Sequence, residues 1–209
     1  MLKKIILLFG VWSLFLLTGC DMVISNDMQN IEQRDYATLL MMREGENGRY
    51  HFDLGIAQEK IPGKEGEREE LCSLECNSLE ELADAYEDVK GKTLSLAHLK
   101  VILLNDICPM EEACPYLLEL EASFEIAKTV PVLEVKEPDK LMAYLETINE
   151  PVGTYMRDLV GIQEKKGKNI PWLKDYLKVI REGNEIIVYD IDIVEEGIQL
   201  FSRTFVHKA

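Results

Sequence analysis

Apolar positions recur along this chain with two periods, and the switching between them predicts strands interleaved with helices. Tyr36-Ala37-Thr38-Leu39-Leu40-Met41-Met42 is a continuous apolar run, the pattern of a strand covered on both faces. Glu44 to Gly48 reads as a turn, with Asn47-Gly48 supplying residues that tolerate positive φ. In Tyr50-His51-Phe52-Asp53-Leu54-Gly55-Ile56 the large apolar residues fall on every second position, so the two runs predict an antiparallel hairpin. Ile61 to Glu70, rich in Gly, Lys and Glu, predicts a solvated loop, and Leu71 to Glu75 a short strand. The period then changes. Ser78 precedes Glu81 at capping-box spacing, Leu79, Leu82, Tyr86 and Val89 share one helical face, and Gly91 falls where that helix should end. Leu94 to Leu104 predicts one strand containing His98 and Lys100, and the order strand, helix, strand predicts a parallel pairing.

Further along, Pro115 suits the first turn of a helix running to about Ala127. Val130 to Val135 reads as a short strand that Pro131 pushes towards an edge or a bulge. Helices are expected from Pro138 to Ile148, from Pro151 to Gln163, and from Pro171 to Gly183, the last with a Leu173, Leu177, Ile180 stripe. Lys165 to Asn169 is a basic loop. Two more strands, Glu185 to Ile193 and Gly197 to Val206, flank Glu195-Glu196-Gly197. The fold class is therefore α+β: a mixed sheet with an N-terminal antiparallel hairpin and packed helices.

The first twenty residues follow a different rule. Lys3 and Lys4 precede thirteen mostly apolar residues, Ile5 to Leu17, and a small-residue cleavage site, as in a secretory leader. At about 1.5 Å per residue this run is short for a hydrocarbon core of roughly 30 Å. Leu17-Thr18-Gly19-Cys20 resembles the lipobox of bacterial lipoproteins, in which the cysteine thiol takes a diacylglyceryl group and becomes the first residue of the mature chain. On that reading 1–19 is a lipoprotein signal peptide and 20–30 a polar tether. The alternative is a secreted protein whose leader happens to end near a cysteine.

Charge narrows the partners. The leader carries two of 23 basic and none of 38 acidic residues, so the remaining chain has a formal charge of 21 − 38 = −17. Such a surface repels phosphate backbones, which excludes nucleic acid as a natural partner and rests membrane attachment on the Cys20 lipid.

Beyond Cys20 the chain has Cys72, Cys76, Cys108 and Cys114, an even count compatible with two disulfides in an exported protein. Cys72 and Cys76 lie on or just after an extended segment, where four residues span about 13 Å, too far to bridge. The favoured local pair is Cys108 with Cys114. Cys-x3-Cys and Cys-x5-Cys fit zinc spacing poorly, so no metal site is assigned, and no cofactor is implied. Nucleophile-elbow, zincin, phosphate-loop and dinucleotide motifs are absent from the sequence. Of three histidines only His98 falls inside an apolar strand; it reads as a sheet or core histidine, with a ligand or pH sensor as the alternative. The pairs Glu80-Glu81, Glu111-Glu112 and Glu195-Glu196 read as solvated faces. Trp172 and Tyr176 share one helical face at i and i+4, either packed in the core or partly exposed to dock a partner.

Several segments together resemble the Ger(x)C lipoproteins, the C subunits of bacterial spore nutrient germinant receptors. They are the lipobox and spacer, Ile31 to Leu40 with the hairpin Gly45 to Tyr50, the helix start Ser78-Leu79-Glu80-Glu81-Leu82, the His-Leu-Lys segment within Leu94 to Leu104, and Ile193 to Phe201. The departures are Asp21-Met22 where the family has tryptophan, Met41-Met42-Arg43 where it has Gly-Ile-Asp, and Ala122 to Ala127 in place of an arginine-rich stretch. The resemblance implies a Ger(x)C-like N-terminal domain over 31–184, with 185–209 the start of a second region. It implies a non-enzymatic, lipid-anchored subunit on the outer face of the cell or spore inner membrane, with integral-membrane receptor subunits as partners. An exported solute-binding lipoprotein serving a transporter is the alternative; it would need two comparable lobes.

Overall fold

The apolar run Tyr36–Met42 forms the middle of β1 (Arg34–Glu44), an interior strand of an eight-stranded mixed sheet. The computed structural model describes residues 33–45, 49–57, 69–105, 110–122, 125–183, 185–195 and 197–206. On one side β1 pairs antiparallel with β2 (Tyr50–Ala57), which pairs antiparallel with β3 (Glu69–Cys76). On the other, β1 pairs in parallel with β5 (Val101–Asn105), then come β6 (Val132–Val135) and β7 (Glu185–Val194), also parallel. β8 (Gly197–Val206) closes the row as an antiparallel hairpin on β7, and the short β4 (Thr93–Ser95) pairs with β1 off the main row. Among the described residues five helices connect these strands: α1 (Leu79–Lys90), α2 (Met110–Ala122), α3 (Pro138–Leu145), α4 (Val152–Lys165) and α5 (Leu173–Glu182).

Both faces of the sheet are covered. Ala37, Leu40 and Met42 of β1 join Leu82 and Tyr86 of α1, Leu117 and Leu120 of α2, and Tyr176 and Leu177 of α5 in one core. Leu39 and Met41 point the other way, to Leu141 and Leu145 of α3 and Met156 and Val160 of α4. The result is three layers, helices on either side of a sheet, and it explains why β1 reads as apolar without alternation.

Local chemistry sets two of the joins. Between Ala37 and Leu39 the β1–β2 register shifts, a bulge that turns Thr38 towards α4. There the Thr38 hydroxyl donates to Glu69 Oε1 at 2.6 Å, and the second oxygen of Glu69 accepts the Gly153 N–H at 3.1 Å. The carboxylate thus satisfies an open donor in the first turn of α4 and complements its dipole. The approach is so close that a Cβ on Gly153 would lie 2.3 Å from Thr38 Oγ1, so only glycine fits. At α1, Ser78 Oγ accepts the Glu81 N–H at 3.1 Å, as its spacing predicts. The Glu81 carboxylate reaches one residue further back than a capping box requires, to the Asn77 N–H and side-chain amide, both at 2.6 Å. These bonds hold its carboxyl below the usual range.

Four expectations are corrected. Leu94 to Leu104 is two strands, broken by a turn in which the Leu99 N–H bonds to the Leu96 carbonyl at 3.2 Å. β6 is interior, because Pro131 lies just before it and its carbonyl accepts the Ile102 N–H at 3.0 Å, so proline removes no ladder donor from the strand. α2 starts at Met110 and ends at Ala122, so Pro115 lies inside the helix. β7 and β8 extend the same sheet, so the expected boundary at residue 185 falls within it. β3 is also longer than expected, taking up Glu69 and Glu70; the rest of the expected loop, 61–68, and the turn at Asn47-Gly48 lie outside the described residues.

Candidate functional site

The residues singled out in the sequence do not converge. Cys20 and Cys108 lie outside the described residues, and of Cys114 only the backbone is described, in α2. Cys72 and Cys76 sit on the same face of β3 as free thiols, and burial pushes both above the usual thiol value. Among the described residues no group of three or more His, Cys, Asp or Glu is placed to hold a metal ion, and no helix is long and apolar enough to cross a membrane.

His98 lies not inside a strand but on the turn between β4 and β5, exposed, with its ring edge-on to Tyr36 at 4.6 Å. Trp172 and Tyr176 part company. Tyr176 is wholly buried, so it cannot dock a partner, and its hydroxyl finds no hydrogen-bond partner among the described residues. Trp172, half-buried, precedes α5 and forms an isolated bridge with Pro131. Its ring lies 5.5 Å from both the Arg157 guanidinium and the Lys174 ammonium.

Two constellations emerge that one-dimensional reading missed. The first lies across β1, β2 and β3, where the register sets Arg43 beside His51 and Asp53 beside Ser73. Asp53 is 1 % exposed, yet its Oδ1 accepts the Ser73 hydroxyl at 2.5 Å and lies 3.0 Å from His51 Nε2, with Arg43 Nε 3.0 Å from its other oxygen. Arg43 also meets His51 Nε2 at 2.8 Å and Asp139 of α3 at 2.5 Å. A serine, a histidine and an aspartate thus meet, but not as a nucleophile with its base. The Ser73 proton is given to Asp53, and His51 Nε2 is engaged by Asp53 and Arg43, so the geometry ties three strands and a helix together. His51 shares its face of β2 with the buried Asp53, and only the cross-strand partners make the cluster.

The second is a groove of 440 Å³ between α1 and the end of α2, floored by Leu79, Leu82, Leu94 and Leu96 and rimmed by Glu119 and Glu125. Its rim carboxylates are partly committed, Glu119 to the Leu79 N–H at 3.0 Å and Glu125 to the Ser95 hydroxyl at 3.1 Å. Apolar floor and acidic rim suit a side chain that is apolar along its stem and cationic at its tip.

Fold and surface together define an α+β domain on one mixed sheet, with its buried polar groups joining strands and a shallow apolar groove between helices. Residues 27–191 match the family described as the spore germination protein N-terminal domain, and the chain belongs to that family. The resemblance read from the sequence is thereby confirmed, and the chain takes its place among proteins of spore germination. No curated protein and no solved structure matches it.

Proposed function

We propose that this chain is a lipid-anchored, non-enzymatic subunit or homologue of a spore nutrient germinant receptor, acting as a scaffold on the outer face of the inner membrane. The observation that carries the reading is the order of segments: a lipobox-like Leu17-Thr18-Gly19-Cys20 followed within a few residues by the germination domain at 27–191. Cys20 lies 14 positions before Arg34, a reach of roughly 50 Å at full stretch, so an acylated Cys20 keeps the domain beside its membrane neighbours. Confinement of this kind raises effective concentration without any new contact. The groove between α1 and α2 is the concave surface such a scaffold offers to a receptor subunit. A non-enzymatic role is supported by the use of Ser73, His51 and Asp53 on one another.

The test is affinity purification of the tagged chain from spore membranes, with intact-mass analysis of the product. Polytopic receptor subunits should co-purify, and the mature chain should begin at an acylated Cys20. Recovery of a transporter instead would favour the solute-binding alternative, and a chain without acyl groups would remove the anchor.

A further inference from the structure

We propose that the groove between α1 and α2 docks a short amphipathic segment of a partner protein, apolar side chains flanked by lysine or arginine, a contact that rests on the scaffold reading above. The two helices that wall the groove carry one sign of charge. Residues 78–89 contain five acidic residues and no basic one, and residues 110–125 again five and none.

Some of these carboxylates are neutralised by their neighbours. Glu81 is held by the two Asn77 donors and by Arg49 at 3.6 Å, and Glu121 by Lys128 at 3.0 Å and by Arg181 of α5. Around the groove matters differ. Glu80, Glu119 and Glu125 line it, all three are exposed, and none has a cation within ion-pair distance among the described residues. Positions 80, 84 and 87 share one face of α1, so Asp84 and Glu87, also exposed and without a cation among the described residues, prolong the same acidic edge. Beneath it lies the apolar floor of Leu79, Leu82, Leu94 and Leu96.

Each kind of occupant meets this rim differently. An anion is repelled, and two of the N–H groups at the start of α1 that could draw one, those of Leu79 and Glu81, already have acceptors in the Glu119 carboxylate and the Ser78 hydroxyl. A wholly apolar segment would strip water from carboxylates and give them no partner in return. A second copy seated through the same groove would set carboxylate against carboxylate. A lysine or arginine beside an apolar residue answers both parts of the surface, its stem on the leucines and its head among Glu80, Glu119 and Glu125. At 440 Å³ the groove lies towards the small end of the roughly 300–1,000 Å³ of binding clefts, so it takes a few side chains of a helix or loop.

The full-length tagged chain carrying Ala83→p-benzoylphenylalanine is irradiated in spore membranes, and the cross-linked peptide is sequenced by mass spectrometry. Ala83 is exposed on α1 and lines the groove; Ile162→p-benzoylphenylalanine, exposed on α4 across the sheet, is the control. The Ala83 probe should capture, and the Ile162 probe should miss, a segment of another protein in which Lys or Arg alternates with apolar residues. Adding Glu80→Gln, Asp84→Asn and Glu87→Gln should lower that yield about fivefold, the combined effect of three exposed charge contacts, and washing the membranes into about 0.5 M salt should lower it too. Capture of an acidic or uncharged segment, capture of this same chain, no captured protein at all, or a yield that the neutralised chain keeps overturns the proposal. Polytopic receptor subunits that co-purify while the Ala83 probe captures nothing sink the groove and leave the scaffold standing. A basic amphipathic segment captured from a protein outside the receptor supports the groove and sinks the receptor reading.

Discussion

Two arginines tie this sheet together near opposite edges, and they do so on different terms. Arg43, on β1, shares buried Asp53 with a hydroxyl and an imidazole, and spends its remaining charge on Asp139 at the surface. Arg203, on the edge strand β8, bonds both Glu134 of β6 and Asp190 of β7, which are 6 % and 3 % exposed. Lys136 adds a second contact to Asp190 at 3.4 Å. Beside this second group lies the hydroxyl of Tyr176, without a hydrogen-bond partner among the described residues, whose ionisation burial and the nearby Glu134 oppose strongly. Asp53 gathers an arginine, a hydroxyl and an imidazole around one buried carboxylate, whereas Glu134 and Asp190 are two buried carboxylates that share the partly exposed Arg203.

That contrast can be broken from its weaker side. Arg203→Ala leaves Glu134 and Asp190 buried with their principal cation gone and should cost about 3–5 kcal/mol, read as a lowered urea midpoint at unchanged slope. Arg43→Ala leaves Asp53 with Ser73 and His51 and should cost about 2 kcal/mol by the same measurement. If the two losses were equal, the difference in satisfaction between the clusters would carry no weight. The smallest effect has the opposite sign. Tyr176→Phe removes a buried hydroxyl that bonds to nothing described, and should leave stability unchanged or raise it by about 1 kcal/mol. A clear loss in that variant would mean that the phenol belongs to the Arg203 network.

Much of this architecture was legible because its signals are local. The hairpin of β1 and β2, the Ser78 cap of α1 and the α5 stripe depend on neighbours three or four positions away, and all three are present. The break at Leu96–Lys100 was hidden because no Gly, Pro or Asn marks it. Leu96 and Leu99 are both buried, so the turn keeps the apolar pattern of a strand, and it is fixed from outside by the Lys100 N–H bonding to the Thr38 carbonyl at 2.8 Å. Pro131 misled for a related reason: its effect on a ladder depends on whether it falls inside the strand, and one residue decides that. The Arg43 and Arg203 clusters were out of reach, since Arg43–Asp53 and Arg203–Glu134 exist only through cross-strand register and helix docking.

The placement of β1 also governs how the chain must fold. Its hairpin partner is complete by Ala57, but the parallel neighbour β5 begins only at Val101 and the far parallel strand β7 only at Glu185. A growing polypeptide therefore carries Leu39 and Met41 on one side, and Leu40 and Met42 on the other, long before either is covered. Loop closure over such distances is slow, and bare strand edges invite association. The β7–β8 hairpin emerges after the other strands of this sheet and completes it, so a chain interrupted before that hairpin would be sticky rather than half-functional.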